Sequence, residues 1–195
     1  MKKRVAILIS GRGSNMTALI EAARDPAYPA QIVGVFSNVP DAPGLATAAS
    51  CGIPTAWRWH KDYPSRIGFE LAIGDVLKLW RPDFIALAGF MRMLTPEFAR
   101  KWQGRMINIH PSLLPAFPGR HTHEQALAAG VAEHGCTVHF VTAGMDEGPT
   151  ILQARVPVEP GDTAATLAAR VLAEEHRIYP QALAMLARGE ATFPA

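Results

Sequence analysis

The sequence predicts an α/β protein with a Rossmann-like, open, mostly parallel sheet flanked by helices. Three observations indicate this fold. Arg4–Ser10 is a nearly continuous apolar run, which is typical of a strand covered on both faces. The glycine-containing turn Gly11–Asn15 and the helical pattern of Met16–Arg24 follow it directly. Further strand-like runs and helical patterns succeed one another along the rest of the chain, as expected of an α/β sheet.

The remaining elements follow in chain order. Apolar or alternating runs predict strands at Gln31–Asn38, Ile53–Trp57, Asp83–Phe90, Met106–His110, Cys136–Val141 and Ile151–Val158. Helical spacing or helix caps predict helices at Gly44–Ser50, Ser65–Trp80, Pro96–Trp102, His121–Ala129 and Ala164–Arg188. Pro180 lies inside the last of these helices and is expected to kink or split it, because proline has no backbone N–H to donate.

Composition restricts the functions open to the chain. Its 195 residues fit one domain, taken as residues 1–195, and 49% hydrophobic with 18% charged residues is ordinary for a globular protein. A net charge of +2 without a block of like charges does not indicate nucleic-acid binding. No stretch is long enough to span a bilayer, and the basic N-terminus lacks the pattern of a signal peptide. We therefore expect a cytoplasmic protein that does not bind membranes.

Neither the cysteines nor the histidines form a metal-binding pattern. Cys51 and Cys136 lie far apart in the chain and are expected to be free thiols. His121 and His123 do not share a helical face, and no third ligand is evident, so we predict no metal site. His139, in an alternating strand, is expected to have a structural role.

The central candidate site is Met106–Gly119, with the sequence MINIHPSLLPAFPG. Asn108 and His110 point to the same face of the predicted strand because side chains alternate with period two, and Pro111 ends the strand. An amide can donate a hydrogen bond to a developing oxyanion, and an imidazole can donate another or move a proton. The pair therefore suits carbonyl chemistry. The alternative is a turn in which both side chains only satisfy local backbone groups.

The turn after the first strand is a candidate anion site. A strand, a glycine turn and a helix together aim free backbone N–H groups and the helix dipole at an anion. Met16 stands where the dinucleotide fingerprint has its third glycine, and the strand that follows ends in Asn38 rather than in an acidic residue. Both observations argue against NAD and favour a phosphate monoester. A plain turn is the alternative.

Two further segments are candidates for the site, and the first of them follows a predicted strand at the edge where ligands bind in open parallel sheets. Met91–Leu94 is either an apolar lid over a flat ligand or a loop that packs on the core. Thr142–Pro149 carries Asp146 and Glu147, and one of these acids could reach His110 and favour the charged imidazolium; two solvated acids are the alternative. No serine or cysteine lies in a nucleophile context, which favours direct acyl or formyl transfer to a nucleophilic substrate.

Five segments resemble the phosphoribosylglycinamide formyltransferases, a folate-dependent enzyme family of purine synthesis. They cover almost the whole chain in order: Ile9–Asn15, Leu87–Leu94, Ile107–Gly119, Gly135–Val141 and Met145–Gln153. The resemblance implies transfer of the formyl group of 10-formyltetrahydrofolate to the amine of glycinamide ribonucleotide, with no metal. The products would be N-formylglycinamide ribonucleotide and tetrahydrofolate. It leaves open whether the enzyme is a homodimer.

The resemblance also implies three catalytic residues. Asn108 and protonated His110 would hold the oxyanion of a tetrahedral intermediate. Asp146 would keep His110 charged and, with a water, help to move the amine proton to the departing folate nitrogen.

The same resemblance implies two groups of binding residues. Gly13, Ser14 and Asn15 would hold the substrate phosphate, and Glu175 would reach the sugar or the amine. Arg66 would meet the glutamate tail of the folate. The folate site as a whole would comprise Arg66, Met91, Arg92, Met93, Leu94, Asn108, Thr142, Ala143, Gly144, Met145 and Asp146.

Other members of the wider superfamily share the catalytic set. Methionyl-tRNA formyltransferase needs a further basic domain for which 195 residues leave no room, and formyltetrahydrofolate deformylase has an N-terminal regulatory domain ahead of its first strand. Sugar-nucleotide formyltransferases lack this phosphate turn. A non-catalytic phosphate- or nucleotide-binding module is the alternative from another class, and it would never release tetrahydrofolate.

Overall fold

A single seven-stranded sheet forms the centre of the protein in the computed structural model, which describes residues 1–194, and its strand order is β3-β2-β1-β4-β5-β6-β7. The strands are β1 (Lys3–Ile9), β2 (Ala30–Ser37), β3 (Thr55–Trp57), β4 (Phe84–Leu87), β5 (Met106–His110), β6 (Glu133–Phe140) and β7 (Thr150–Pro157). Strands β1 to β5 are parallel, β6 runs antiparallel to β5, and β7 runs antiparallel to β6. The predicted mostly parallel sheet is confirmed.

Helices cover both faces of this sheet. They are α1 (Ser14–Ala23), α2 (Pro43–Ser50), α3 (Arg66–Trp80), α4 (Pro96–Lys101), α5 (Thr122–Ala128) and α6 (Ala164–Arg188), with a short 3₁₀ turn at His60–Asp62. Threonine and serine caps begin several of them: Ser65 accepts the Gly68 N–H at 3.1 Å, and Thr95 accepts the Phe98 N–H at 3.3 Å. Within residues 1–194, no helix combines the length and the apolar character that crossing a bilayer requires.

Strand β1 shows why the sheet needs helices on both sides. Val5, Ile7 and Ile9 pack into one core with residues of α1, α2, α5 and α6, whereas Ala6 and Leu8 pack into a second core with α3 and α4. All five side chains are fully buried. A nearly continuous apolar run is therefore typical of a central strand in a sheet that helices cover on both faces.

The structure corrects the predicted strand and helix ends. Strand β4 ends at Leu87 rather than at Phe90, because Gly89 turns the chain with a left-handed φ of 75°. Helix α1 begins at Ser14, so two residues of the predicted turn belong to its first turn. Strand β6 begins at Glu133 instead of Cys136.

Of the two outcomes expected at Pro180, a kinked or a split last helix, the split is wrong. Helix α6 runs continuously through it, and Ile178, Tyr179, Ala182 and Leu183 around the proline are all buried in the core. Proline removes one backbone hydrogen bond, and we attribute the unbroken helix to the apolar surface buried on both sides of it.

His134 is a histidine of the core. It lies on β6 with 1% of its surface exposed, and its ring contacts those of His123 and Phe117, with centroids 5.2 and 6.0 Å away. Burial, followed by the proximity of His123, lowers the pKa of His134 to about 4. An ordinary histidine pKa of about 6.5 is expected in the unfolded chain. The unfolded state therefore binds a proton between these pH values, while the folded state does not.

We predict that this difference makes the protein less stable in acid. The free energy of unfolding falls as the pH drops below about 6.5, because the unfolded state takes up the proton. From His134 alone the loss is about 2 kcal/mol at pH 5. Denaturant unfolding at pH 7.5 and pH 5 measures it. His134→Phe should reduce the difference by about that amount, whereas His121→Gln, at an exposed histidine, should leave it unchanged. An equal pH dependence in His134→Phe and the wild type would contradict this assignment.

Candidate active site

A cavity of about 1310 Å³ opens at the edge of the sheet where β4 and β5 end. Every residue that the sequence predicts for the folate site lines it, from Arg66 to Asp146, and so does His110. The position agrees with the general rule that ligands of open α/β sheets bind beyond the carboxyl ends of the parallel strands. Met91–Leu94 lines the cavity and is therefore not only a core-packing loop.

Strand β5 presents Asn108 and His110 to this cavity, as the period-two pattern predicts. His110 is 5% exposed, and both of its ring nitrogens face oxygen atoms. Nε2 donates to the Phe117 carbonyl oxygen at 3.0 Å, and Nδ1 lies 3.4 Å from Asp146 Oδ2. Because a carbonyl oxygen only accepts, Nε2 carries a proton in this arrangement, while Nδ1 faces the Asp146 carboxylate.

Asp146 is held in place by its backbone and by the loop that follows His110. Its φ of 55° is uncommon for a residue with a side chain, and such positions concentrate at functional sites. Its Oδ2 atom also accepts the Gly119 N–H at 2.9 Å. The residues of the loop left two acids open and the resemblance implied Asp146; in the structure Asp146 faces His110, and Glu147 does not line the cavity.

Gly148 lets the Asp146 loop lie against strand β6. A Cβ atom at this position would stand 1.6 Å from the Phe140 carbonyl oxygen and 3.4 Å from His139 Nδ1. No side chain fits there without moving the loop. The glycine of the Asp-x-Gly-Pro segment is therefore a steric requirement for the position of Asp146.

His139 is a partner of Asn108 that sequence reasoning described only as structural. The two residues are opposite each other on β6 and β5, and His139 Nε2 lies 3.2 Å from Asn108 Nδ2. His139 Nδ1 donates to the Phe140 carbonyl oxygen at 2.9 Å, so in the neutral ring Nε2 carries a lone pair and accepts from the amide. Burial lowers the pKa of His139, which favours this neutral form. The sequence shows that His139 lies on a strand, but its contact with Asn108 follows only from the antiparallel register of β5 and β6.

A buried threonine holds the segment after His110. Thr137 is fully buried opposite His110, and its hydroxyl donates to the Ser112 carbonyl oxygen at 2.7 Å while accepting the Leu114 N–H at 3.1 Å. Gln153 of β7 adds a donor to the Leu114 carbonyl oxygen at 2.8 Å. The loop that supplies Phe117 and Gly119 to the site is thus anchored to the two antiparallel strands.

The predicted phosphate residues form a second group, which does not line this cavity. Gly13 caps α1 with a left-handed φ of 69°, and Ser14 and Asn15 form the first turn of that helix. Helix α6 packs on α1 and places Glu175 so that its Oε2 accepts from Asn15 Nδ2 at 2.7 Å. Burial raises the pKa of Glu175, while the Asn15 hydrogen bond opposes that rise.

Further ionisable side chains line the cavity, among them Arg66, Arg92, Arg120 and Glu124. Within residues 1–194, no group of three or more His, Cys, Asp or Glu side chains could hold a metal ion. Arg66 and Arg92 line the cavity, and among the described residues no carboxylate pairs with either of them. Both guanidinium groups are available to an acidic ligand.

Comparison with known proteins gives a consistent result. Residues 3–183 match the family described as formyl transferase. The phosphoribosylglycinamide formyltransferase of Escherichia coli K12 is 45% identical over 185 residues, which are 95% of this chain and 87% of that protein. The trifunctional purine biosynthetic protein adenosine-3 of Drosophila pseudoobscura is 54% identical over 190 residues, which are 96% of this chain. The chain spans only 14% of the length of that trifunctional relative.

Solved structures agree with these sequence matches. The crystal structure of phosphoribosylglycinamide formyltransferase from Brucella melitensis superposes with a TM-score of 0.93 at 54% identity and covers 100% of both chains. That of glycinamide ribonucleotide transformylase 1 from Symbiobacterium toebii gives a TM-score of 0.96 at 45% identity, covering 100% of this chain and 92% of the other.

We predict that Gly148→Ala destabilises the protein by about 2 kcal/mol or more, because the added methyl group overlaps a backbone carbonyl. Denaturant unfolding measures the change. The matched control is Gly74→Ala in α3, where the new Cβ would meet no atom within 4 Å. The control should be neutral or slightly stabilising, since alanine favours helix. Equal stability of the two variants would contradict the steric role of Gly148.

Proposed function

The chain belongs to the formyl transferase family, and we propose that it transfers the formyl group of 10-formyltetrahydrofolate to the amine of 5'-phosphoribosylglycinamide. The products are N-formylglycinamide ribonucleotide and tetrahydrofolate, within purine biosynthesis. The observation that carries this proposal is the convergence of Asn108, His110 and Asp146 on one cavity at the sheet edge.

The proposed reaction begins with attack of the substrate amine on the formyl carbon, which turns the formyl oxygen into an oxyanion. One N–H of the Asn108 amide is directed to His139, and the other is free to donate to that oxyanion. The imidazolium of His110 adds positive charge beside it. A direct hydrogen bond from His110 requires one ring nitrogen to exchange its present acceptor for the substrate.

Collapse of the tetrahedral intermediate breaks the bond between the formyl carbon and the folate nitrogen. The amine must lose a proton and the folate nitrogen must gain one, so the transfer is balanced without another reactant. We assign Asp146 to this step, with a water as carrier, because its carboxylate lies against His110 and faces the cavity.

Substrate binding is assigned to the two residue groups described above. The N-terminus of α1 presents the free backbone N–H groups of Gly13, Ser14 and Asn15 to the phosphate. Glu175, adjacent to Asn15, would accept from a sugar hydroxyl or the amine. The residues that line the cavity would hold the folate, with Arg66 at its glutamate tail.

The experiment that tests the activity follows the absorbance change as 10-formyltetrahydrofolate loses its formyl group, with and without glycinamide ribonucleotide. We expect turnover only when the ribonucleotide is present. Turnover with water alone would mean a deformylase and would overturn the proposal. Binding of folate without any release of tetrahydrofolate would mean a binding module and would overturn it as well.

We predict that Asn108→Ala lowers kcat by about 10²–10³-fold, because it removes a donor to the oxyanion. His110→Ala should reduce kcat similarly through the loss of positive charge. Both variants should change the KM values much less than kcat. Gln181→Ala, which removes an exposed amide on α6, is the control and should behave as the wild type. Near-normal kcat in either active-site variant would refute the role given to that residue.

We predict a smaller effect at His139, which lines the cavity and which we propose acts by orienting Asn108. His139→Leu should lower kcat about tenfold, because the amide loses the acceptor that sets its direction. His139→Gln supplies an acceptor oxygen and should recover much of the rate. Steady-state kinetics of the two variants test this, and equal losses in both would indicate a packing role instead.

A cytoplasmic location stays a prediction from the sequence. The sequence leaves open whether the protein is a homodimer, and sedimentation of the purified protein distinguishes a monomer from a dimer.

A further inference from the structure

Ser10 joins three strand ends at the edge of the sheet that carries the site. It follows β1 directly and precedes the turn Gly11–Asn15. Its backbone N–H donates to the Gly89 carbonyl oxygen at 3.1 Å, and its hydroxyl lies 2.7 Å from the Met91 nitrogen and 2.5 Å from Asn38 Oδ1. One serine thus contacts both the loop after β4 and the residue that ends β2.

The direction of each hydrogen bond follows from chemistry. The Met91 N–H can only donate, so the Ser10 hydroxyl oxygen must accept from it. The hydroxyl proton is then available for Asn38 Oδ1, which faces it. Asn38 is 2% exposed, and His60 Nδ1 lies 3.1 Å from both its Nδ2 atom and its backbone carbonyl oxygen. The buried amide therefore sets the Ser10 hydroxyl in the orientation that accepts from Met91.

This contact fixes the start of the cavity-lining loop. Gly89 turns the chain with its positive φ, and Ser10 holds the turn on both sides, through Gly89 and through Met91. Met91–Leu94 lines the cavity immediately afterwards. Without the Ser10 oxygen, the Met91 N–H loses its acceptor. A smaller fraction of the protein then has the loop Met91–Leu94 in this conformation.

We propose that Ser10 is a positioning residue that ties the folate-side loop Met91–Leu94 to the phosphate-side turn Gly11–Asn15. This inference rests on the proposed function for its assignment of the two ligands. Ser10 does not line the cavity, and it acts by holding the loop in its binding conformation. Its removal therefore acts on formyl-folate binding more than on the chemical step.

The chain offers a closely matched control in Ser37. This serine ends the neighbouring strand β2, is fully buried, and exchanges hydrogen bonds of 2.8 and 2.9 Å with the backbone of Val39. Ser10 is only partly buried, so Ser37→Ala removes a hydroxyl that is more buried and also makes two hydrogen bonds, but only within its own turn. A purely structural effect of losing a buried hydroxyl should appear in both variants.

The test compares Ser10→Ala, Ser10→Thr and Ser37→Ala in steady-state kinetics. We expect Ser10→Ala to raise the KM for 10-formyltetrahydrofolate about tenfold, with kcat at saturation within about twofold of the wild type. Ser10→Thr keeps the hydroxyl and should restore the KM, and Ser37→Ala should leave it unchanged. An unchanged KM in Ser10→Ala, or an equal rise in Ser37→Ala, would overturn the proposal.

Amide hydrogen exchange of the segment 89–94 separates this inference from the proposed function. Exchange should be faster in Ser10→Ala than in the wild type and in Ser37→Ala, whether or not the protein turns over formyl folate. If the wild type shows no transferase activity but Ser10→Ala still exchanges faster than the wild type, the proposed function is rejected and the role of the Ser10 contact is retained. Unchanged exchange in Ser10→Ala, beside a fully active wild type, would reject the Ser10 proposal alone.

Discussion

The contact between the Asp146 carboxylate and the His110 imidazole is the constraint on which the site depends. It joins the parallel half of the sheet, which ends in β5, to the loop between the antiparallel strands β6 and β7. Several unusual features serve it: the positive φ of Asp146, the missing side chain of Gly148, and the Gly119 N–H that binds the same carboxylate. His110 is buried and Asp146 is half-buried, and this backbone support holds the two ionisable groups in contact.

The same sheet edge brings together two different kinds of ligand environment. Backbone N–H groups at the start of α1 suit an anion, whereas the cavity beside β4 and β5 is large and lined by Met91–Leu94 and the loop that carries Asp146. Glu175 reaches the first environment because α6 packs on α1, and Ser10 stands between the two. Group transfer between two bound molecules needs such neighbouring, separately built subsites, since proximity and orientation supply much of the rate.

Local sequence patterns predicted the fold class and the order of its elements, and they placed β5 at Met106–His110 as observed. Two local arguments gave results that the structure corrects. Pro180 does not split α6, because burial on both sides of it outweighs one lost hydrogen bond. Strand β4 stops before Phe90, because Gly89 adopts a left-handed conformation that an apolar pattern does not reveal.

The sequence by itself determined that Asn108 and His110 share one face, because strand alternation is a local property of the backbone. The residues of the loop left Asp146 and Glu147 as alternatives and the family resemblance implied Asp146, whereas the tertiary structure shows that Asp146 meets His110 and that His139 binds Asn108. These contacts depend on the antiparallel register of β5 with β6 and on the turn that follows β6. Register couples residues distant in the chain, and a shift of one residue would turn each side chain to the opposite face.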